Sequence, residues 1–441
     1  MKNIFQLISL VVLVQIVSCK PNLEIPEPSQ GSADFSRTVA IGGDFLSGYQ
    51  DGALYPEGQQ YSIPNLLADK FKLASSSLTF NQPLISDADG AGINNKPWES
   101  EFITRSLLFY KTDCKGVRDL SPVKWPLSKD IAEERIKSFT NGSIQNLAMP
   151  FCKTADVFDP AFGSAAGNFY YSHFTSEPDI STLLNDALRQ HPTFGIFWLG
   201  MEDIFSYAAH GGKDVTIPAS AAFETSLDSI LKSFAANGAK GVIANIPDLE
   251  SFPFYTLISS RGITLTLNQA DSLNQLTGLQ LYFEGENGFF VEYPKNSGYY
   301  RQMEKGEYVL LDVPIDSLKC QSLGLLQPLP DRYTLDSMEV QVIKEAIANY
   351  NSIIFNKANQ YSLAYVDANA FFKKVESGMK WDGVDLNAEF VSGGFFSLDG
   401  YHPHQKGYSI LSNEFVRAIN DHYGATVPWI NCESCSGILF P

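Results

Sequence analysis

Cationic side chains are scarce in this chain. It has 32 lysines and arginines against 49 aspartates and glutamates, which gives a formal net charge of −17 at pH 7. Proteins that bind nucleic acids favour basic faces, because the phosphate backbone has to be neutralised. The composition therefore excludes nucleic acid as an expected partner, and the acidity by itself mainly indicates solubility.

Long apolar runs are also scarce, and the one long run lies near the start. It extends from Ile4 to Val14 after the single early charge of Lys2. This run is too short to span a bilayer and has the layout of a secretory signal. The 441 residues are 44% hydrophobic and 13% aromatic, which is ample for a sizeable core. We therefore expect an exported protein with one large globular unit at 37–429.

The apolar run closes on Ile16-Val17-Ser18-Cys19, which resembles the bacterial lipobox. The resemblance implies a signal peptide at 1–18, with Cys19 as the lipidated first residue of the mature protein and its anchor to a lipid membrane. An ordinary cleaved signal with an incidental cysteine is the alternative. Residues 19–36 are rich in proline, serine, glycine and acids, which predicts a flexible tether.

Cysteine is too sparse for a disulfide-rich scaffold. Without Cys19, five cysteines remain, namely Cys114, Cys152, Cys320, Cys432 and Cys435. This odd number leaves at least one thiol unpaired in an oxidising compartment, and the sequence does not indicate the pairing. Cys432 and Cys435 lie in a C-terminal tail at 430–441 with no second CxxC motif, so we expect a local disulfide or two idle thiols there rather than a zinc site.

Short apolar runs alternate with longer helical patterns, as in a parallel sheet covered on both faces. The pattern predicts strands at 38–41, 194–199, 241–246 and 362–367, and helices at 63–71, 222–236 and 336–357. Residues 278–312 break this rhythm with tyrosines and phenylalanines among turn formers, which predicts an inserted β-rich lobe. Its aromatic residues, including Tyr299 and Tyr300, are candidates to bind sugars or a protein partner, or to form a satellite core.

Several short motifs occur in a characteristic order. They include Val39-Ala40-Ile41-Gly42, Gly48-Tyr49-Gln50-Asp51-Gly52-Ala53-Leu54-Tyr55, Asn245-Ile246-Pro247-Asp248, Val366-Asp367-Ala368-Asn369 and Phe396-Ser397-Leu398-Asp399-Gly400-Tyr401-His402-Pro403. Through these motifs, residues 35–429 resemble the SGNH/GDSL hydrolases found as lipoproteins in Bacteroidota. The resemblance implies an α/β fold, a flavodoxin-like three-layer α/β/α sandwich, with catalytic groups on loops at the carboxyl ends of the strands.

The nucleophile of that family is missing from the matching position. The family uses a serine, an oxyanion hole completed by a glycine and an asparagine, and a DxxH pair as acid and base. Asp399 and His402 match the DxxH pair. An ungapped match over 42–48 places Asp44 at the serine position, whereas matching the Gly-Asp-Ser-Leu pattern places Phe45 there. Serine is absent in either case.

Both oxyanion positions of the family are also replaced. Phe151 stands where the glycine is expected, and Glu202 stands where the asparagine is expected. An ionised glutamate donates no hydrogen bond and repels a developing oxyanion. Loss of one oxyanion donor costs about 3 to 4 kcal/mol in other enzymes.

Three readings of this altered site remain open. Ser47 lies on the same loop and is a possible substitute nucleophile. Alternatively, Asp44, Glu202, Asp399 and His402 form a ligand set for a divalent cation, although their spacing carries no metal signature and we expect no metal or cofactor. In the third reading, Asp44 forms an ion pair with His402, which favours the protonated imidazole.

We therefore expect a lipoprotein of the outer membrane, possibly exposed at the cell surface, with a degenerate active site. Lys20 replaces the aspartate that retains such lipoproteins at the inner membrane, and acidic Glu24 and Glu27 favour surface export. Such a protein acts by binding or assembly, with an outer-membrane protein or a glycan as partner. The rival reading is an active esterase or carbohydrate deacetylase that uses Ser47 or a remodelled carboxylate site with His402.

Overall fold

The computed structural model of the 441-residue chain describes residues 26–94, 101–137, 143–175, 177–295, 297–432, 435, 437–438 and 440. The predicted signal peptide, the predicted lipidation residue Cys19 and the first part of the predicted tether lie outside these residues. Among the residues described, no helix has the length and apolar character needed to cross a membrane.

The secondary structure alternates short strands with helices of very different lengths. The strands are β1 Thr38–Gly42, β2 Gly92–Ile93, β3 Phe102–Ile103, β4 Leu107–Thr112, β5 Arg118–Val123, β6 Pro126–Leu127, β7 Phe194–Trp198, β8 Lys240–Ala244, β9 Ile258–Ser259, β10 Ile263–Leu265, β11 Gly285–Asn287, β12 Phe290–Glu292, β13 Tyr300–Gln302, β14 Tyr308–Val309, β15 Thr334–Leu335, β16 Ala364–Val366, β17 Met379–Trp381 and β18 Val384–Leu386. The α-helices are α1 Asp44–Ser47, α2 Pro56–Gln60, α3 Ile63–Ala74, α4 Lys129–Arg135, α5 Tyr171–Phe174, α6 Leu183–Leu188, α7 Met201–Ala209, α8 Ser220–Ala236, α9 Pro253–Thr256, α10 Leu267–Thr277, α11 Ile315–Cys320, α12 Ser337–Gln360, α13 Ala368–Ser377 and α14 Gln405–Tyr423.

A four-stranded parallel sheet in the order β1-β7-β8-β16 forms the centre of the fold. Every residue of β1 and β7 is buried, as expected when helices cover both faces of a parallel sheet. Helix α14 packs on α3 and on β16, and α12 packs on α8 and on β8. The predicted α/β class with a parallel central sheet is confirmed.

The long helix α12 shows why the sequence pattern located these elements well. Asp336 accepts hydrogen bonds from the N–H groups of Met338 and Glu339, and the Glu339 side chain accepts one from the Asp336 N–H. This capping box satisfies backbone groups that the first helical turn leaves unpaired. The helix predicted at 336–357 therefore begins directly after a capping residue, Asp336.

The inserted lobe is larger than predicted, since it extends from β9 to β15 rather than over 278–312. It consists of small antiparallel pairs, such as β10 with β11 and β12 with β13, together with α10 and α11. Strand β14 lies inside the predicted range, but it pairs with β9 and β15, which both lie outside that range. A local sequence pattern does not reveal such distant pairing.

A hairpin of β4 and β5, which the sequence analysis missed, is linked covalently to this lobe. Cys114 in its turn forms a disulfide with Cys320 at the end of α11, and Lys111 makes an ion pair with Asp316 of the same helix. The other cysteines in the part of the chain that the structure describes are free and buried, namely Cys152, Cys432 and Cys435. The CxxC pair is therefore two idle thiols in this structure.

Residues 27–36 do not behave as a free tether. The ring of Phe35 is fully buried and stacks on Phe71 with centroids 3.9 Å apart. Ser32 donates its N–H to the carbonyl of Tyr423, and Thr426 donates to the carbonyl of Ser29. The prediction of a tether up to residue 36 is corrected here, because the polar composition of the segment concealed the buried aromatic anchor.

Candidate active site

Four loops bring polar side chains together at the carboxyl end of the central sheet. Asp44 begins α1 directly after β1, and Glu202 lies in the first turn of α7 after β7. Phe151 follows the segment that runs beside β1, where Met149 donates its N–H to the carbonyl of Gly42. His402 lies in the loop before α14. Ligands of open α/β sheets bind at this edge.

Asp399 holds His402 in a fixed orientation. Its Oδ2 lies 2.9 Å from Nδ1 of His402 and accepts the N–H of Gly52 at 3.0 Å. Its Oδ1 accepts the N–H groups of Tyr401 and His402 at 2.9 and 2.8 Å. Burial alone raises the pKa of Asp399, but His402 and these hydrogen bonds outweigh burial and lower it. The predicted acid–base pair is thus brought together.

Asp44 lies on the other side of the same imidazole. Its Oδ2 is 3.4 Å from Nε2 of His402, and its Oδ1 accepts the N–H of Phe151 at 2.5 Å. Burial lowers the pKa of His402, but Asp399 and Asp44 outweigh burial and raise the pKa to about 9. The imidazole is therefore protonated at neutral pH and is not available as a general base.

The structure brings both matched residues of the nucleophile block close to the histidine. The Phe45 ring is buried in the core, with its centroid 5.0 Å from that of Trp198 and 5.1 Å from that of His402. The carboxylate of Asp44 faces the imidazole, with Oδ2 3.4 Å from Nε2. Of the two residues, Asp44 is therefore the one that places a polar group beside His402.

Ser47 does not face the histidine. Its hydroxyl donates to the carbonyl of Asp44 at 2.9 Å and accepts the N–H of Tyr49 at 3.3 Å. These bonds hold the hydroxyl within the loop of α1, where it is almost fully buried. The geometry therefore gives no support to Ser47 as a substitute nucleophile.

Phe151 retains a glycine-like backbone. Its φ is +62°, in the left-handed region that non-glycine residues rarely adopt. This conformation costs about 1 to 2 kcal/mol for a residue with a Cβ. It directs the Phe151 N–H to Asp44, while the ring packs on Tyr49 at a centroid distance of 5.5 Å. The Phe151 N–H thus lies where the resemblance places the N–H of the family's glycine, but it already donates a hydrogen bond to the carboxylate of Asp44.

The pKa of Glu202 is raised in this site. Burial raises it well above the usual range, and the charge of Asp44 raises it further. A protonated carboxyl can donate a hydrogen bond, whereas a carboxylate only accepts. The raised pKa favours the protonated form over the ionised form considered from the sequence, which does not show how this position is enclosed.

The structure gives no sign that Asp44, Glu202, Asp399 and His402 form a metal centre. Within the described ranges, no group of three or more histidines, cysteines, aspartates or glutamates is arranged to hold a metal ion. Asp44 and Asp399 each use their oxygens on backbone N–H groups and on His402. The divalent-cation reading therefore has no geometric support.

These residues border a cavity of about 170 Å³ that opens at the sheet edge. Its lining consists of acidic and aromatic side chains with a few small ones, and it includes Asp44, Tyr49, Lys124, Phe151, Glu202, Phe205, Phe254, Tyr255, Asp312, Asp399, Tyr401 and His402. The sequence analysis missed most of the aromatic lining. Tyr49 and Tyr401 belong to quoted motifs and offered a signal, whereas Phe254, Tyr255 and Asp312 come from segments without one.

Tyr299 and Tyr300 lie on the inserted lobe and do not line this cavity. Tyr299 is 71% exposed, and Tyr300 is 40% exposed with its ring 5.0 Å from that of Phe290. They form part of the outer surface of the lobe. Any ligand of these tyrosines would therefore bind apart from His402.

Several known proteins are similar to this chain. Residues 135–415 match the family described as GDSL-like lipase/acylhydrolase. No curated protein matches the chain. Among solved structures, LAE5, an α/β hydrolase from the metagenome of Lake Arreo in Spain, is 10% identical, with 88% of this chain and 96% of that chain covered and a TM-score of 0.37.

Two further solved structures show a similar level of likeness. A putative GDSL-like lipase from Parabacteroides merdae is 10% identical over 89% of this chain and 99% of that chain, with a TM-score of 0.35. A catalytic mutant of Axe2, an acetylxylan esterase from Geobacillus stearothermophilus, is 9% identical over 90% and 98%, with a TM-score of 0.37. The family match spans more than half of this chain and includes the pair Asp399 and His402, so the chain belongs to the GDSL-like lipase/acylhydrolase family.

Proposed function

We propose that this protein is a membrane-anchored member of the family that binds a ligand in the cleft and does not hydrolyse esters there. One observation carries the proposal: the carboxylate of Asp44 bridges the N–H of Phe151 and Nε2 of His402. In a serine hydrolase, those two groups serve the nucleophile and the oxyanion. In this protein the side chain of Asp44 contacts both groups, so neither is free for a substrate.

Protonation adds a second obstacle to hydrolysis. A serine or water nucleophile needs an imidazole that accepts its proton. His402 lies between the carboxylates of Asp44 and Asp399, which raise its pKa to about 9 against the effect of burial. At pH 7 nearly all of the protein holds the imidazolium form, so His402 does not serve as that proton acceptor.

The expected oxyanion site does not offset the loss of His402 as a proton acceptor. The Phe151 N–H already donates to Asp44, and an entering acyl oxygen would have to displace that carboxylate. A developing oxyanion would also approach the negative charge of Asp44. Glu202, whose pKa is raised by burial and by Asp44, is the remaining candidate donor that the resemblance places at this site.

We further propose that Cys19 is lipidated and holds the domain at the outer membrane, at the cell surface. The disulfide between Cys114 and Cys320 supports an oxidising compartment, since such bonds are rare in the cytosol. Residues 27–36 are bound to the domain, so the spacer between anchor and fold is short. The exposed Tyr299 and Tyr300 give the lobe a surface suited to an outer-membrane protein partner or a glycan.

Ester turnover and membrane fractionation test the two parts of this proposal. We expect the folded domain to hydrolyse p-nitrophenyl acetate no faster than its His402→Ala variant, because His402 is already protonated. We expect the full chain to partition with membranes and Cys19→Ser to become soluble. Turnover that depends on His402 would contradict the binding function, and membrane retention of Cys19→Ser would contradict the anchor.

A further inference from the structure

The cleft next to His402 combines carboxyl groups with aromatic rings in one small volume. Four carboxyl side chains line it, and so do six aromatic side chains, but Lys124 and His402 are its two cationic groups. Its volume of about 170 Å³ lies below the roughly 300 to 1,000 Å³ of pockets for drug-sized ligands. The occupant is therefore a small molecule or the end group of a larger one.

From this lining we propose that the ligand is a small organic cation, an ammonium or quaternary ammonium group, which rests on and refines the proposed binding function. The acidic lining groups are Asp44, Glu202, Asp312 and Asp399. They outnumber the two cationic groups, so the site carries an excess of negative charge even when Glu202 is protonated. A carboxylate or phosphate ligand would meet repulsion from Asp44 and Asp399.

The aromatic rings complete the environment that such a cation requires. The six rings belong to Tyr49, Phe151, Phe205, Phe254, Tyr255 and Tyr401. Burial raises the pKa of Tyr49, Tyr255 and Tyr401 well above the usual range, so these phenols remain neutral. The faces of neutral aromatic rings attract cations, and aromatic cages of this kind recognise quaternary ammonium groups.

His402 supplies an independent polar feature. Its Nε2 is buried and makes no hydrogen bond of acceptable geometry, although Oδ2 of Asp44 lies 3.4 Å away. The Nε2–H of the imidazolium is a donor at the cavity wall. A hydroxyl on the ligand would satisfy it, so an amino alcohol or a hydroxylated quaternary ammonium compound fits better than a simple ammonium ion.

Binding of a cation here is coupled to the proton on Glu202. Burial, Asp44 and Asp203 raise the pKa of Glu202 while Lys153 and His402 lower it, and the raised pKa favours the protonated form when the cavity is empty. A positive charge beside Glu202 favours the carboxylate and opposes the like-charge effect of Asp44. A bound cation therefore releases a proton to solvent, and the same ionisation strengthens its binding.

Two molecules of nearly the same shape test the charge requirement. Choline and 3,3-dimethyl-1-butanol differ in one charged nitrogen replaced by carbon, and each is titrated calorimetrically into the folded domain. We expect choline to bind at least tenfold more tightly and to release protons, measured from the heats in two buffers of different ionisation enthalpy. Glu202→Gln should abolish the proton release, while Glu286→Gln on the exposed lobe surface should leave it unchanged.

The comparison of choline with the neutral alcohol uses the unmodified protein, so it does not depend on whether a variant folds. Equal or tighter binding of the neutral alcohol, or no binding of choline at millimolar concentration, would overturn the cation assignment. The proposed binding function stands if the neutral alcohol alone occupies the cleft. Ester hydrolysis that depends on His402 would instead overturn the proposed binding function. The failure of the cation assignment and the failure of the binding function are therefore distinguishable.

Discussion

Residue 44 carries a carboxylate rather than a hydroxyl, and this charge raises the pKa values of His402 and Glu202. Oδ2 of Asp44 lies 3.4 Å from Nε2 of His402, and Asp399 binds the opposite nitrogen. Two carboxylates share one imidazolium, and burial and Asp44 raise the pKa of the adjacent Glu202. Asp44, Asp399 and His402 thus form a charge-paired cluster with a net negative charge.

The titration of His402 reports this change directly. We expect its pKa, followed by NMR of the ring protons, to be about 9 in the unmodified protein. Asp44→Asn should lower it, because one of the two carboxylates that stabilise the imidazolium is lost. Asp316→Asn, a change of the same type on exposed helix α11, is the control. An unaltered pKa in Asp44→Asn would contradict the ion pair.

Single residues also show the limits of sequence reasoning. Ordered motifs were enough to place Asp399 and His402 together, whereas the count of residues left Asp44 and Phe45 as alternatives at the nucleophile position. The raised pKa of Glu202 was not predictable, since it depends on enclosure by distant segments such as the one carrying Tyr255. The left-handed backbone of Phe151 is likewise invisible when the residue is not glycine.

At the scale of secondary-structure elements, the hairpin β4–β5 and the inserted lobe form one cross-linked extension. Cys114 and Cys320 are joined across 206 residues, and ion pairs of Lys111 with Asp316 and Lys319 with Asp113 flank the bond. Much of the hairpin surface is exposed, including Phe109 and Tyr110. The disulfide therefore holds an element that buries little surface of its own.

Removal of this disulfide should loosen the hairpin. We expect Cys114→Ser with Cys320→Ser to lower the free energy of unfolding by about 2 to 4 kcal/mol, as found for bonds that close long loops. Limited proteolysis should cut first within residues 107–123, as checked by mass spectrometry of the fragments. Cys152→Ser, which removes a buried thiol outside the disulfide, is the matched control for cleavage at this hairpin. Unchanged cleavage of the hairpin would show that its ion pairs suffice.

Elements were predicted well where the pattern is local. Strands β1 and β7 and helices α3, α8 and α12 begin within two residues of their predicted starts, because apolar periodicity and capping residues are short-range signals. The lobe and the hairpin were not predicted in full. The strands of the lobe have two or three residues, and β14 pairs with β9 far away in the sequence, so local periodicity gives little signal. The hairpin pairs locally, but its strands are mostly exposed and carry no alternating apolar pattern.

For the molecule as a whole, the charge cluster makes stability depend on pH. His402 has a folded pKa of about 9 against an ordinary value of 6.5. Its contribution is fully present below pH 6.5 and is lost as the pH rises through 9, and the shift corresponds to about 3 kcal/mol at most. Glu202 acts in the same direction, since the folded protein holds its proton more tightly than the unfolded chain.

Thermal unfolding between pH 6.5 and pH 9.5 measures this dependence. We expect the melting temperature to fall across that range, and to fall less steeply in Asp44→Asn, because Asp44 raises the pKa of both His402 and Glu202. Asp316→Asn should keep the slope of the unmodified protein. A slope that does not respond to Asp44→Asn would place the pH dependence outside the cleft.

The overall architecture combines a family scaffold with exposed aromatic surfaces. The central sheet presents four loops at one edge, and the lobe and hairpin extend from the same domain with exposed aromatic side chains. The family profile covers 135–415, so the altered nucleophile loop lies in the part of the chain that the profile does not reach. The central claim is that Asp44 has replaced the nucleophile and its chemistry.

Labelling with a fluorophosphonate tests that claim most directly. The unmodified domain and the Asp44→Ser variant are treated side by side, each with and without His402→Ala, and labelled peptides are identified by mass spectrometry. We predict no labelling of the unmodified domain and His402-dependent labelling at residue 44 of the variant, since the loop still faces the imidazole. Labelling of Ser47 in the unmodified domain that disappears with His402→Ala would contradict the account.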